Sequence, residues 1–190
     1  MSARGGNPEL VVFTGPMFSS KTTRLLDTLD RARYQKKSSI LFKASMDDRY
    51  SKTAVCTHSG TQMLGVTIDS GSSLLEFLST SNEVYDTIAV DEAFMIEGIA
   101  EVLVWLFKKG VNVYVSSLTL SYNATVFNEM AILLPWATRV DICTAVCTKC
   151  GSDALYTHKK KDDGKIISVG GDNMYEPRCW KHHLISEPED

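Results

Sequence analysis

Leu10-Val11-Val12-Phe13 is a continuous apolar run that ends at Thr14-Gly15, and it reads as a buried strand entering a glycine turn. Beyond the turn, from residue 21 to residue 35, Leu25, Leu26, Leu29 and Ala32 recur at three- and four-residue spacing, the stripe of an amphipathic helix. Between strand and helix lies Gly15-Pro16-Met17-Phe18-Ser19-Ser20-Lys21-Thr22. A loop in that position presents backbone N–H groups at a helix N-terminus, which is how a Walker A loop wraps phosphates. Lys21 would reach the terminal phosphates, the Thr22 hydroxyl would ligate Mg²⁺, and Thr23 follows in the same turn. The motif has glycine where Ser20 stands, because a residue without Cβ lets the backbone approach the phosphate closely. The competing reading is a plain Gly-Pro turn before a helix.

The rest of the chain up to residue 143 repeats the alternation. Residues 39–43, 85–90, 111–116 and 138–143 read as strands, and 99–108 and 128–134 as helices, with Gly110 stopping the first of these. The polar stretch 44–60 has no periodicity and reads as a long loop. Strands and helices alternating in this way imply an α/β fold, a mainly parallel sheet with helices on both faces. Asp91 and Glu92 close the 85–90 strand, where side chains project into the crevice used by ligands of such sheets. Asp91 is placed as a Walker B acid, holding Mg²⁺ through water, and Glu92 to take a proton from an attacking hydroxyl. Acids favoured at a helix N-terminus are the alternative.

Of 190 residues, 44% are hydrophobic and 23% charged, enough apolar material for a core, and disorder, collagen and coiled coil drop out. A net charge of -3 gives no global positive field for nucleic acid or an anionic membrane. No apolar run approaches a membrane span, and the first eight residues lack the apolar region of a signal peptide, so a cytoplasmic protein is expected.

Five cysteines in such a chain argue for metal rather than disulfides. Cys147-Thr148-Lys149-Cys150 and Cys179-Trp180-Lys181-His182 are two short knuckles separated by 28 residues. Together they offer four ligands to a tetrahedral, structural Zn²⁺ that pins both ends of 151–178. His183 could replace His182 in the set, while Cys56 and Cys143 read as small buried apolar residues. Asp163-Gly164, between two strand-like runs at 155–158 and 166–169, is a hairpin signal, with Lys159, Lys160 and Lys161 as its solvated tip. The expected organisation is a flexible N-terminus at 1–9, an α/β domain at 10–143, a zinc-binding domain at 144–185 and a tail at 186–190.

The loop beginning Gly-Pro-Met-Phe-Ser, Asp91-Glu92-Ala93, Thr144-Ala145-Val146-Cys147 and the four-ligand zinc module, in this order, resemble the zinc-containing type II class of the thymidine kinase family. Asp47-Asp48-Arg49-Tyr50, Cys56-Thr57-His58-Ser59-Gly60 and the 169–175 stretch match as well. The resemblance implies a P-loop NTPase-like kinase that moves the γ-phosphate of ATP to the 5′-hydroxyl of thymidine or deoxyuridine in nucleotide salvage. Glu92 would be the general base, with Lys21, Thr22 and Mg²⁺ holding the triphosphate and Arg49 and Asp47 beside the reacting groups. A lasso loop at about 167–177 would close over the base, carrying Ser168, Val169, Gly170, Gly171 and Tyr175. Thr144 would touch the base, and Met17, Met95, Leu118, Tyr122 and Phe127 would wall the ring. The resemblance also implies a homotetramer inhibited by dTTP, with no nucleic-acid or membrane partner.

The chain departs from the family pattern at three places. Ser20 replaces a glycine, Phe94-Met95 stands where the family has Gln and an aromatic residue, and 118–122 lacks the usual charged residue. These bear on base preference and activity. The competing classes are a non-catalytic regulator that binds nucleotide, and a zinc-ribbon nucleic-acid binder with an ATPase domain, which the charge disfavours.

Overall fold

The computed structural model describes residues 7–46, 54–56, 62–161 and 163–183. The strands in chain order are β1 (Leu10–Thr14), β2 (Ser39–Ala44), β3 (Ala54–Cys56), β4 (Gln62–Leu64), β5 (Val66–Ile68), β6 (Thr87–Asp91), β7 (Asn112–Ser117) and β8 (Arg139–Ile142). Four shorter strands follow: β9 (Ala145–Val146), β10 (Asp153–Ala154), β11 (Tyr156–Lys159) and β12 (Tyr175–Arg178). The helices are α1 (Lys21–Tyr34), α2 (Gly71–Thr80), α3 (Ile99–Lys108) and α4 (Asn128–Leu133). Among the described residues no helix is long and apolar enough to cross a membrane.

One six-stranded sheet, in the order β5-β2-β6-β7-β1-β8, is parallel at every pairing. Both faces are covered at the centre of the sheet, which explains why β1, β6 and β7 are buried along nearly their whole length rather than alternating. On one face Leu25, Leu26 and Leu29 of α1 pack on Val11, Phe13, Leu41 and Ala89. On the other, α2, α3 and α4 contribute Leu74, Leu103 and Met130 against Leu10, Val12, Phe42, Val90 and Val113. The α/β fold and its parallel sheet are as the alternation implies. β5 is too short to show a period, while α2 carries the helical stripe Leu74, Phe77 and Leu78, which packs on the core and lies outside the helices expected from the sequence. α2 is fixed by Ser70, whose side chain accepts from the Ser73 N–H at 3.2 Å, and by Gly71, where a Cβ would lie 2.2 Å from the Gly98 carbonyl oxygen.

Past β8 the chain leaves the sheet. β9 pairs with β10, and β11 pairs antiparallel with β12 in the register Tyr156↔Arg178 to Lys159↔Tyr175. The hairpin expected around Asp163-Gly164 does not form, because the two knuckles bring together the strands beside them and so favour the longer closure. The 166–169 run has no strand partner and folds over the carboxyl end of the main sheet. Lys159 is not part of a solvated tip: its side chain is 1% exposed.

Candidate active site and metal centre

The phosphate loop sits at the carboxyl end of β1. At Gly15 (φ +150°) a Cβ would fall 2.0 Å from the Cys143 carbonyl oxygen, so only glycine lets β1 turn beside the end of β8. Within the loop the Ser19 hydroxyl donates to the Pro16 carbonyl at 2.8 Å, and buried Lys21 donates from Nζ to the same oxygen at 2.6 Å. Phe18 and Ser20 both have positive φ, 66° and 60°. Ser20 is the residue before α1, and its side chain makes no capping bond to the helix. Glycine at that position therefore serves backbone conformation as well as clearance for phosphate.

The Thr22 hydroxyl donates to Asp91 Oδ1 at 3.0 Å, and the Ser116 hydroxyl donates to the same carboxylate oxygen. The Walker A hydroxyl and the Walker B acid thus meet across α1 and β6, two oxygen groups of the kind that Mg²⁺ binds. Glu92 follows with φ 52°, a left-handed turn that ends β6 and directs the chain into a 3₁₀ turn at Ala93–Met95.

Beside the loop, Met17, Glu92, Met95, Leu118, Tyr122, Phe127, Ser168, Gly170 and Tyr175 line one cavity. Nine residues singled out in the sequence are therefore brought together from loops that follow β1, β6 and β7 and from the 166–175 segment. Phe94, Ser121, Thr157, Ile166 and Ile167 complete the wall and were not singled out as binding residues. Phe94 and Phe127 rings lie 4.6 Å apart between centroids. Thr157 accepts the Met17 N–H at 3.0 Å. Thr144 is exposed and does not line the cavity, and Val169 and Gly171 also lie outside its lining. β9 begins directly after Thr144 and pulls it away from the site. The cavity volume is about 30 Å³, against the roughly 10–15 Å³ that one water molecule requires on the same measure. Asp47, Arg49 and the 57–60 match, like the Cys56 side chain, lie outside the described residues.

The two knuckles converge. Cys147, Cys150, Cys179 and His182 each bring one ligand atom within 4.8 Å of the others. Cys150 Sγ lies 3.7 Å from Cys179 Sγ, and His182 Nδ1 lies 3.3 Å from Cys179 Sγ and 3.8 Å from Cys147 Sγ. These separations match the roughly 3.8 Å edges of a tetrahedron with zinc–sulfur bonds of about 2.3 Å. Burial pushes the Cys147 thiol up, but bonds from backbone N–H groups at Cys179, Lys149 and Cys150 outweigh it and bring the pKa to about 6, favouring the thiolate a metal needs. His183 is not in the cluster. Its buried ring stacks on Tyr156 at 4.9 Å and 16°. Cys143 is buried, as expected of a small apolar residue.

The thymidine kinase family model matches residues 8–183. The chain belongs to the thymidine kinase family. It is 34% identical over 187 residues to a thymidine kinase of Thermococcus kodakarensis, covering 94% of this chain and 95% of that one. Among solved structures this thymidine kinase family member is similar to the genome packaging NTPase B204 of Sulfolobus turreted icosahedral virus 2. The ATP-gammaS complex gives a TM-score of 0.49 at 18% identity over 76% of this chain and 77% of that one. The sulfate complex gives 0.46 at 18% identity over 76% of each.

Proposed function

We propose that the protein is a cytoplasmic salvage kinase that transfers the γ-phosphate of ATP to the 5′-hydroxyl of thymidine, giving dTMP. The observation that carries this reading is the shared wall: Met17 of the phosphate loop and Glu92 at the end of β6 both line the cavity. A nucleoside ring between Met95, Leu118, Tyr122 and Phe127 would have its sugar beside Glu92, with the donor phosphates at the loop. Glu92 then takes the proton of the 5′-hydroxyl, and Lys21 neutralises charge on the transferring group. Thr22 and Asp91 are the residues that would hold Mg²⁺, which supplies charge neutralisation between the donor's phosphates. Arg49 and Asp47 are proposed beside the reacting groups on the resemblance alone.

We divide the chain at residue 143, where the sheet ends, into a kinase unit (10–143) and a lasso unit (144–185) pinned by structural zinc. The adjacency of cavity and loop supports inhibition by dTTP, since a triphosphate bearing the product's base would fill both. A homotetramer is supported by β8, an edge strand on which Ile142 is 65% exposed, a surface suited to a second copy. The test is phosphate transfer from Mg-ATP to thymidine, deoxyuridine, deoxycytidine and deoxyguanosine, with wild type and Glu92→Ala compared. Transfer to thymidine that vanishes in the variant is expected. No transfer to any nucleoside by folded, zinc-loaded protein overturns the reading in favour of a nucleotide-binding regulator.

A further inference from the structure

Lys159 ends β11 and stands opposite Tyr175 of β12. A lysine in a charged run such as Lys159-Lys160-Lys161 ordinarily points its ammonium into water, since burying an isolated charge is costly. Here the side chain turns inward and all three ammonium protons find acceptors. Nζ donates to Asp163 Oδ1, to the Lys165 carbonyl at 2.7 Å and to Ser168 Oγ at 3.1 Å. The same ammonium lies 4.9 Å from the centroid of the Tyr122 ring and 6.0 Å from that of Tyr175.

The acceptors are themselves tied together. Ser168 donates to Asp163 Oδ2 at 2.7 Å, the Lys165 N–H donates to Asp163 Oδ1 at 3.0 Å, and the Tyr175 hydroxyl donates to the Ser168 carbonyl at 2.9 Å. Burial presses the pKa of Lys159 down, and the bond to Asp163 with the neighbouring tyrosine and carboxylate groups outweighs it, so the ammonium stays charged. Ser168 and Tyr175 come from the overlying segment, and Tyr122 from the loop after β7; all three line the cavity beside Glu92. One buried cation therefore joins the segment that covers the site to the wall beneath it.

We propose that Lys159 is a positioning residue for the nucleoside cavity: it fixes Tyr122, Ser168 and Tyr175 in their places on its wall, although it does not itself line it. The proposal deepens the nucleoside-kinase reading and rests on it for the identity of the ligand. Without the ammonium, a bound nucleoside would have to order the 163–171 segment itself, and affinity would fall without any change at the phosphate loop.

The test compares full-length, zinc-loaded wild type with Lys159→Met, Lys159→Arg and Asp163→Asn. Amide hydrogen exchange over 163–171 is read without ligand, and KM for thymidine and for Mg-ATP with it. In Lys159→Met, exchange of that segment should accelerate and KM for thymidine rise about tenfold, the loss of a charge-assisted bond, with KM for Mg-ATP unchanged within about twofold. Lys159→Arg should recover part of both effects. Asp163→Asn, an isosteric change at an exposed residue, should move both in the same direction and carries the test if Lys159→Met does not fold. Unchanged exchange and unchanged KM for thymidine in the folded Met variant, or in Asp163→Asn should the Met variant not fold, overturn the proposal. If wild type phosphorylates no nucleoside, the ligand-free exchange still decides whether Lys159 orders the segment, and only the kinase reading is lost.

Discussion

The backbone N–H of Met17 donates to the Thr157 hydroxyl at 3.0 Å, joining the phosphate loop to β11 of the zinc-held unit. The two residues are 140 positions apart, and both line the cavity. The bond makes the arrangement of the cavity wall, proposed here for the nucleoside, depend on the arrangement of the loop that would carry the donor phosphates.

Thr157→Val keeps the shape of a buried side chain and removes its acceptor, leaving the Met17 N–H without this bond. An unsatisfied donor costs about 1–3 kcal/mol when buried, and for the part-buried Met17 N–H the lower half of that range would fall on the geometry proposed for both substrates. KM for thymidine and KM for Mg-ATP should therefore rise together, each by about tenfold, the lower half of that range. Steady-state kinetics on the folded variant checks this. A change in only one of the two constants would mean that the bond does not couple the sites.

Ser20 holds φ 60° and ψ 26° with no capping bond from its side chain. The left-handed conformation costs a residue bearing Cβ about 1–2 kcal/mol, while glycine adds about 0.5–1 kcal/mol of entropy to lose on folding. The first effect is the larger. Ser20→Gly should raise the free energy of unfolding by about 0.5–1 kcal/mol, measured by urea denaturation with an unchanged m-value. It should also tighten Mg-ATP binding. A less stable variant would show that the serine is not strained in this loop.

The zinc cluster joins the ends of the segment that covers the cavity, so removing the metal should act at a distance. Stripping zinc with a strong chelator should accelerate hydrogen exchange across 145–183 and abolish thymidine binding. The amides of β1, β6 and β7 should stay protected, since their core is built from α1, α2 and α3. Cys150→Ser should reproduce the effect in part. Metal analysis finding less than one zinc per chain in folded, active protein would remove the structural role.

Elements whose cause is local could be read from the sequence. Leu10 to Phe13, Gly15 and Lys21 belong to one strand, turn and helix, and the knuckles at Cys147 and Cys179 have short internal spacings that keep their meaning in any context. Of the cavity wall, Glu92 was legible from its place at the end of a strand, whereas Met17, Met95, Leu118, Tyr122 and Phe127 were legible only through the family resemblance, because each is an ordinary apolar or aromatic residue by itself. Part of what escaped was legible and part was not. α2 has a local stripe in Leu74, Phe77 and Leu78 behind the Ser70 cap, although its exact start is set by Gly71 meeting the distant Gly98 carbonyl. Lys159 reads as a solvated charge because nothing in a run of three lysines marks the one that turns inward, although its acceptors Asp163, Lys165 and Ser168 are close in the chain. Thr157 and Thr144 are alike in sequence, and only the pairing of β11 with β12 turns the first toward the cavity while the second remains exposed.

Tyr114 gives the fold an alkaline limit that one substitution isolates. Its hydroxyl donates to Glu9 Oε2 at 3.2 Å, and burial, then the Glu9 charge and that bond, push its pKa up to about 12 from 10.0. The folded state thus holds this proton more firmly than the unfolded chain does. The stability it contributes is complete below pH 10, where both states are protonated. Between about pH 10 and 12 the unfolded chain ionises first, so stability falls as pH rises, and above that window the contribution is gone. The loss is on the order of 3 kcal/mol at most. Tyr114→Phe removes this proton and should show a shallower fall across that window, while the other tyrosines and the lysines titrate in both proteins and cancel. Urea denaturation at pH 9, 10, 11 and 12 gives the two curves, with about 9 and about 12 chosen to bracket the tyrosine range. Parallel curves would mean that Tyr114 ionises in the folded protein as easily as in the unfolded chain.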